Sequence, residues 1–217
     1  EVCRQRDTPI ITFVNKMDRE GRDPIELLEE VERELGMPCV PMTWPVGQGK
    51  QFGGIVNLRT QSMRLFDAGA DKRGAEDETV PLAERDKLHT RFGHDWELAE
   101  QAMELLAEAA PAFDLELFLA ATQTPVFFGS AVNNFGVQEI LDALVDLAPS
   151  PRPRLSTEKD GSHKEISPEM ENFSGVVFKV QANMDPSHRD RIAFVRVCSG
   201  KYTPGMKLKV QRSSKEL

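Results

Sequence analysis

The 217 residues include 40% hydrophobic and 29% charged side chains and carry a net charge of −8, which suits one large or two modest cores. No apolar run reaches membrane-spanning length, and no charged n-region followed by an apolar h-region opens the chain. Cys3, Cys39 and Cys198 are far apart, odd in number and never spaced as C-x-x-C, which argues against a zinc site or a disulfide framework and fits a reducing cytoplasm.

Residues 1–6 read as the tail of a helix, so the chain is expected to begin inside a domain, as an interior piece of a longer protein. The run Ile10-Ile11-Thr12-Phe13-Val14 is apolar and β-branched, the pattern of a central parallel strand. It empties into Asn15-Lys16-Met17-Asp18, and ligands of open α/β sheets bind at the carboxyl ends of such strands. The residue types suit a guanine base. A carboxylate at Asp18 offers two acceptor oxygens to the adjacent N1–H and 2-amino donors of guanine, whereas adenine would leave it unpaired. Asn15 can tie the loop down while touching the base, because its amide both donates and accepts. Lys16 can lay its methylenes over the ring and keep its ammonium in water. The ordinary alternative is a polar loop after a strand, since a four-residue motif occurs often by chance.

Asp23-Pro24-Ile25-Glu26 reads as a helix start, with Asp as the cap and Pro at the first helical position. Ile25, Leu28, Val31 and Leu35 recur at helical spacing, and Gly36 with Pro38 ends the helix. The run of Glu26, Glu29, Glu30, Glu32 and Glu34 reads as its solvated face. Residues 38–124 break this βα rhythm. Two short strands, 55–58 and 63–66, are expected as a hairpin. They are followed by helical sequence over about 80–110 with an interruption near Gly93, and by a shorter helix over 114–121. His89 and His94 have no partners at ligand spacing, and Trp44 and Trp96 read as packing residues.

Thr124-Pro125-Val126-Phe127-Phe128 restores a buried strand and ends in Gly129-Ser130-Ala131. Small residues there permit close approach of the main chain, and the Ala131 amide is the expected donor to guanine O6. A helix follows with Val137, Ile140, Leu141, Leu144 and Val145 on one face. From Pro149 a polar, Pro-rich linker is expected to last to about Asn172. Strands over 175–181, 192–198 and 206–211 then suggest the start of an antiparallel barrel.

Charge divides unevenly, with 14 basic against 27 acidic residues through position 150 and 13 against 8 after it. Lys179, His188, Arg189, Arg191, Arg196 and Lys201 cluster in and around one expected loop, which suggests a face for a phosphate-rich partner. His188 reads as part of that polar loop and not as a catalytic group.

Taken together, Asn15-Lys16-Met17-Asp18 and Gly129-Ser130-Ala131 resemble the fourth and fifth guanine-nucleotide motifs of the translational GTPases. The long insertion between them resembles the extra subdomain of some members. Thr43-Trp44-Pro45-Val46-Gly47 and the stretch from Phe178 to Arg191, which includes Asn183-Met184-Asp185-Pro186-Ser187, resemble members acting at termination more than elongation factor G. The resemblance implies an α/β fold: part of a P-loop-type G domain (1–38 and 124–149), an inserted α+β subdomain (39–123), a linker (150–172) and the start of a β-barrel (173–217). It implies Asn15, Lys16, Asp18, Ser130 and Ala131 as base-binding residues, GTP or GDP with Mg²⁺ as ligands, and the ribosome as partner. The expected parent is a monomeric cytoplasmic GTPase that promotes recycling of class-1 release factors, with no DNA and no membrane contact. A fragment of elongation factor G and a non-catalytic ribosome-binding module are the alternatives.

No G-x-x-x-x-G-K-[ST] phosphate loop occurs. Gly47-Gln48-Gly49-Lys50 is a near miss, with Gln51 where the Mg²⁺-binding hydroxyl belongs and Trp44 where the first Gly belongs. It reads as a glycine-rich turn in the insertion. The resemblance places the phosphate loop, the switch regions, the water-orienting histidine and the Mg²⁺ ligands ahead of Glu1. The chain alone is therefore expected to be inactive and to hold no catalytic residue.

Overall fold

A computed structural model describes residues 1–67, 78–158, 160–182, 191–211 and 213. Two compact units emerge, Glu1–Pro149 and Ser150–Leu217.

The first unit opens with a single helical turn, α1 (Val2–Gln5), and a short strand, β1 (Thr12–Val14). Helix α2 (Pro24–Leu35) begins where Asp23 accepts a 2.7 Å hydrogen bond from the Ile25 amide. It ends where Gly36, at φ +60°, returns its N–H to the Glu32 carbonyl. Both ends match the expected cap chemistry.

Beyond Pro38 the chain forms two strands that the sequence reading omitted, β2 (Cys39–Pro41) and β3 (Thr43–Val46), both fully buried. Only Met42 separates them, and its amide still bonds Val126. The chain thereby passes from one sheet to another through a bend at a single residue. β3 pairs with β4 (Gly54–Asn57), β4 with β5 (Ser62–Leu65), and β5 with β6 (Thr79–Pro81), an antiparallel meander. The expected hairpin is its middle pair.

Two helices follow, α3 (Arg85–Phe92) and α4 (His94–Ala109), broken by Gly93 at φ +53°. Trp96 on α4 is 2% exposed and α4 packs on β3. Asp114 caps the short α5 (Leu115–Leu119). The chain then enters β7 (Thr124–Phe128), every residue of which is buried. β7 lies between β1 and β2 in a three-stranded parallel sheet.

One apolar cluster runs through both sheets and includes Met17, Trp44, Val56, Met63, Trp96, Val126 and Phe128. Trp44 meets Phe128 edge-on at 5.3 Å, a favoured geometry for aromatic pairs. The meander therefore shares its core with the parallel sheet.

Helix α6 (Val137–Leu147) closes the unit. It is anchored by buried Ala143 and by an ion pair from Glu139 to Arg64 on β5. The expected apolar face is only partly covered, since Leu141, Leu144 and Val145 remain exposed.

In the second unit, β8 (Arg154–Thr157) and β9 (His163–Ile166) form a hairpin inside the stretch expected as linker. β10 (Ser174–Ala182) and β11 (Arg191–Ser199) form a longer antiparallel pair with two register shifts. Residues 206–211 form no extended strand among the described residues; the chain there follows a turn in which the Met206 amide bonds the Thr203 carbonyl. No helix among the described residues is long and apolar enough to cross a membrane.

Candidate guanine-base site

Strands β1 and β7 run parallel with Val14 opposite Phe128, so the loops that leave their carboxyl ends start side by side. The Gly129 amide bonds the Val14 carbonyl, and the Gly129 carbonyl accepts from the Met17 amide, both at 3.0 Å. A side chain at position 129 has no room. Its Cβ would stand 2.4 Å from the Phe135 carbonyl oxygen and 2.9 Å from the Phe13 ring. Close approach of the two loops thus needs glycine at this position.

Asn15 links them further. Its Oδ1 accepts from the Lys16 amide at 2.8 Å and from the Ala131 amide at 2.9 Å. Both partners are N–H donors, so the oxygen must be the atom facing them. What Asn15 can still offer a ligand is its NH₂ group, a pure donor.

Ser130 is fully buried beneath the loops. Its hydroxyl donates to Oδ1 of Asp18 at 2.5 Å and accepts from Nδ2 of Asn133 at 2.8 Å. The short O–H···O⁻ distance is that of a charge-assisted bond. A carboxylate has about four lone-pair positions, so Asp18 keeps most of its acceptor capacity for an incoming ligand. Asp18 itself is half-buried, while Asn15, Lys16 and Ala131 are exposed. The arrangement is an open polar rim over a buried, fully bonded floor.

Lys16 adopts φ +71°, in the left-handed region that costs a side-chain-bearing residue about 1–2 kcal/mol. The strain is held by its neighbours: its amide bonds Asn15, its carbonyl accepts from Arg19, and Met17 next to it is 3% exposed in the core. Strain at a loop fixed from several sides is common where a ligand is read.

All five residues singled out from the sequence, Asn15, Lys16, Asp18, Ser130 and Ala131, therefore fall in one place. The Ala131 amide, expected to face guanine O6, is engaged with Asn15 in this structure. Three contributors escaped the sequence reading. Asn133 orients Ser130, Phe135 closes a two-bond bridge with Ser130, and Gly49 donates to the Met17 carbonyl at 2.9 Å. The first two lie within five residues of Ser130 and could have been suspected; Gly49 depends on a contact 32 positions away in sequence.

Among the described residues, no three His, Cys, Asp or Glu side chains gather to hold a metal ion. His89 and His94 both bond Glu97, which they hold below the usual carboxylate range, His89 first. Residues 183–190, with His188 and Arg189, lie outside the described residues. On β11, Arg196 and Phe194 share a face and Lys179 lies opposite Phe194, its ammonium 5.3 Å from that ring. Arg191, three positions from Phe194, projects from the other face.

Residues 1–150 match the family described as Elongation factor Tu GTP binding domain, and residues 172–217 match Elongation factor G domain 2. Over all 217 residues the chain is 58% identical to Peptide chain release factor 3 of Bordetella pertussis (strain Tohama I) and to that of Bordetella avium (strain 197N). It is 56% identical to the protein of the same name from Nitrosomonas europaea, across an alignment of 219 residues. In each case the whole chain is matched, and it spans about 40% of the relative's length.

Proposed function

The chain belongs to the elongation factor Tu GTP binding domain family, and on that membership we propose that its paired loops read the guanine base for a ribosome-dependent GTPase of translation termination. The observation that carries this reading is the junction at Asp18. A carboxylate aimed by a buried hydroxyl, beside an amide whose oxygen is already used, offers two acceptors and a donor side by side. Guanine presents the complement: N1–H and the 2-amino group for Asp18, and the acceptor N7 for the Asn15 NH₂. The Ala131 amide reaches O6 by sharing its hydrogen with Asn15 Oδ1. Lys16, held in its left-handed backbone, covers the ring.

GTP and GDP are the ligands of this reading. The phosphates and Mg²⁺ require a phosphate loop that these 217 residues do not contain. Hydrolysis depends almost wholly on the groups that cradle phosphate, hold Mg²⁺ and position water. This chain by itself contributes recognition and leaves bond breaking to residues outside it. The names of the relatives favour termination over elongation, with the ribosome as partner and class-1 release factors as the factors recycled. The barrel reading of the second unit rests on its match to domain 2 of elongation factor G.

The test is Asp18→Asn in the full-length protein. An amide at 18 pairs poorly with guanine but suits xanthine, whose 2-oxygen accepts from NH₂. GTP binding should weaken by about 2–4 kcal/mol while xanthosine triphosphate binding appears. Unchanged GTP affinity in a nucleotide titration would remove Asp18 from the site.

A further inference from the structure

The near miss to a phosphate loop, Gly47-Gln48-Gly49-Lys50, has a place in the fold that its sequence does not announce. It follows β3 and packs against the loop that carries Asp18. The Gly49 amide donates to the Met17 carbonyl at 2.9 Å, and Gln48 Nε2 donates to the Arg22 carbonyl at 2.9 Å. Met17 is thus held through both of its flanking peptides: its amide by Gly129 and its carbonyl by Gly49. Asp18 is the next residue.

Gly49 is buried and sits at φ +60°. A Cβ there would stand 2.3 Å from Glu20 Oε1, 2.7 Å from its Cδ and 3.1 Å from its backbone nitrogen. The two closest atoms are the end of the exposed Glu20 side chain, which can swing aside, so what favours glycine at 49 is its left-handed backbone and the approach of the Glu20 backbone nitrogen. Gly47, at φ +71°, makes the turn possible, since its own Cβ would meet the Gln51 carbonyl at 2.3 Å. Behind the turn, β3 is buried and α4 packs on it. A rigid layer of the meander therefore ends on the peptide next to the base-reading carboxylate.

We propose that Gly49 and Gln48 are positioning residues for guanine recognition, through which the meander sets the placement of Asp18. This rests on the guanine reading above. A displacement of about 1 Å in a binding group is enough to cost up to about a hundredfold in a process that depends on its alignment, and among the described residues the Gly49 amide is the hydrogen-bond partner of the Met17 carbonyl.

The experiment uses the full-length protein with GDP, measuring dissociation by stopped flow and the affinity ratio of GDP to inosine diphosphate, which lacks the 2-amino group read by Asp18. Gly49→Ala should accelerate GDP release about tenfold and shrink that ratio. Adding Glu20→Ala removes the two closest clashes and should bring release back to within about threefold of the parent. Gly93→Ala is the control for simple loss of stability: Gly93 also has positive φ, at +53°, but a Cβ there meets nothing within 4 Å. It should lower the melting temperature without changing GDP release. If Gly49→Ala does not yield folded protein, Gln48→Ala, which cuts a single exposed hydrogen bond, should speed release about threefold. Unchanged GDP release in a folded Gly49→Ala or in Gln48→Ala overturns the proposal, and so does equal acceleration by Gly93→Ala. Asp18→Asn separates the two ideas. If it fails to exchange guanine for xanthine preference, the base reading itself falls. If it succeeds while the Gly49 variants bind as the parent does, only the positioning role falls.

Discussion

Ser130 and Asp18, 112 positions apart in the sequence, are joined by a 2.5 Å hydrogen bond in which the buried hydroxyl donates to the half-buried carboxylate. Because Asn133 Nδ2 donates to the same hydroxyl oxygen, the Ser130 proton is committed to Asp18. The carboxylate is thereby held at one angle before any ligand arrives, which lowers the ordering cost of binding.

Ser130→Ala should expose that dependence. It removes the donor to Asp18 and leaves the Asn133 amide without its acceptor, a loss of about 1–3 kcal/mol in folding stability. Guanine nucleotide affinity should fall about tenfold through the freed carboxylate, a loss of about 1.4 kcal/mol. Titration calorimetry with GDP, alongside a urea melt of the same sample, reads both effects. Full affinity in a folded variant would show that Asp18 needs no support from beneath.

The Arg64–Glu139 pair ties the meander to α6, with side chains 22% and 11% exposed. Glu139 Oε2 is buried with no hydrogen-bond partner, so the pair is not fully satisfied. Removing one member should cost far more than removing both. Arg64→Ala should lower stability by about 3 kcal/mol because it strands a buried carboxylate, whereas Arg64→Met with Glu139→Leu should fall within about 1 kcal/mol of the parent. Urea unfolding of the three proteins checks the order. A double variant as unstable as the single one would mean that packing, and not charge, sets the energy.

Cys39 is 3% exposed on β2, and burial followed by the nearby Glu32 carboxylate pushes its thiol up to about 12. A raised folded value means that the neutral thiol is the form the fold prefers. Its contribution is fully present below the unfolded value of about 8.5 and is lost as pH rises from there toward about 12. Alkylation at pH 8 should therefore spare Cys39 and modify Cys3 and Cys198, which are half-buried. Cys39 should react only on unfolding. Rapid labelling of Cys39 in the native protein, read by mass spectrometry of its peptide, would contradict this.

Much of the site was legible before the fold was known, because its chemistry is local. A strand pattern opening into Asn15-Lys16-Met17-Asp18 needs only neighbouring residues, and so do the Asp23 cap and the Gly36 stop. The strands β2 and β3 were not legible. Pro41 and Pro45 argue against strands, and short runs buried on both faces lack the alternation that marks a half-exposed strand. The β8–β9 hairpin hid for the opposite reason, since its residues are almost all exposed and carry no apolar signal.

The basic residues of the second unit illustrate the same limit. In sequence Lys179, Arg191 and Arg196 look like one cluster. The strand pleat sends Lys179 and Arg196 to the face of Phe194 and Arg191 to the other, so these neighbours along the chain divide between two faces.

The sequence by itself determined the two guanine-type loops, their residues and the caps that frame the intervening helix. Each depends on side-chain chemistry and backbone preference within a few positions. Only the tertiary structure shows how the two loops touch. Parallel pairing of Val14 with Phe128 brings Asn15 to Ala131 and Asp18 to Ser130, and the turn at Gly49 closes on Met17 from the far side. Those bonds join residues 32 to about 116 positions apart, and the free energy that selects such partners is the burial of a shared core, which no short stretch of sequence contains.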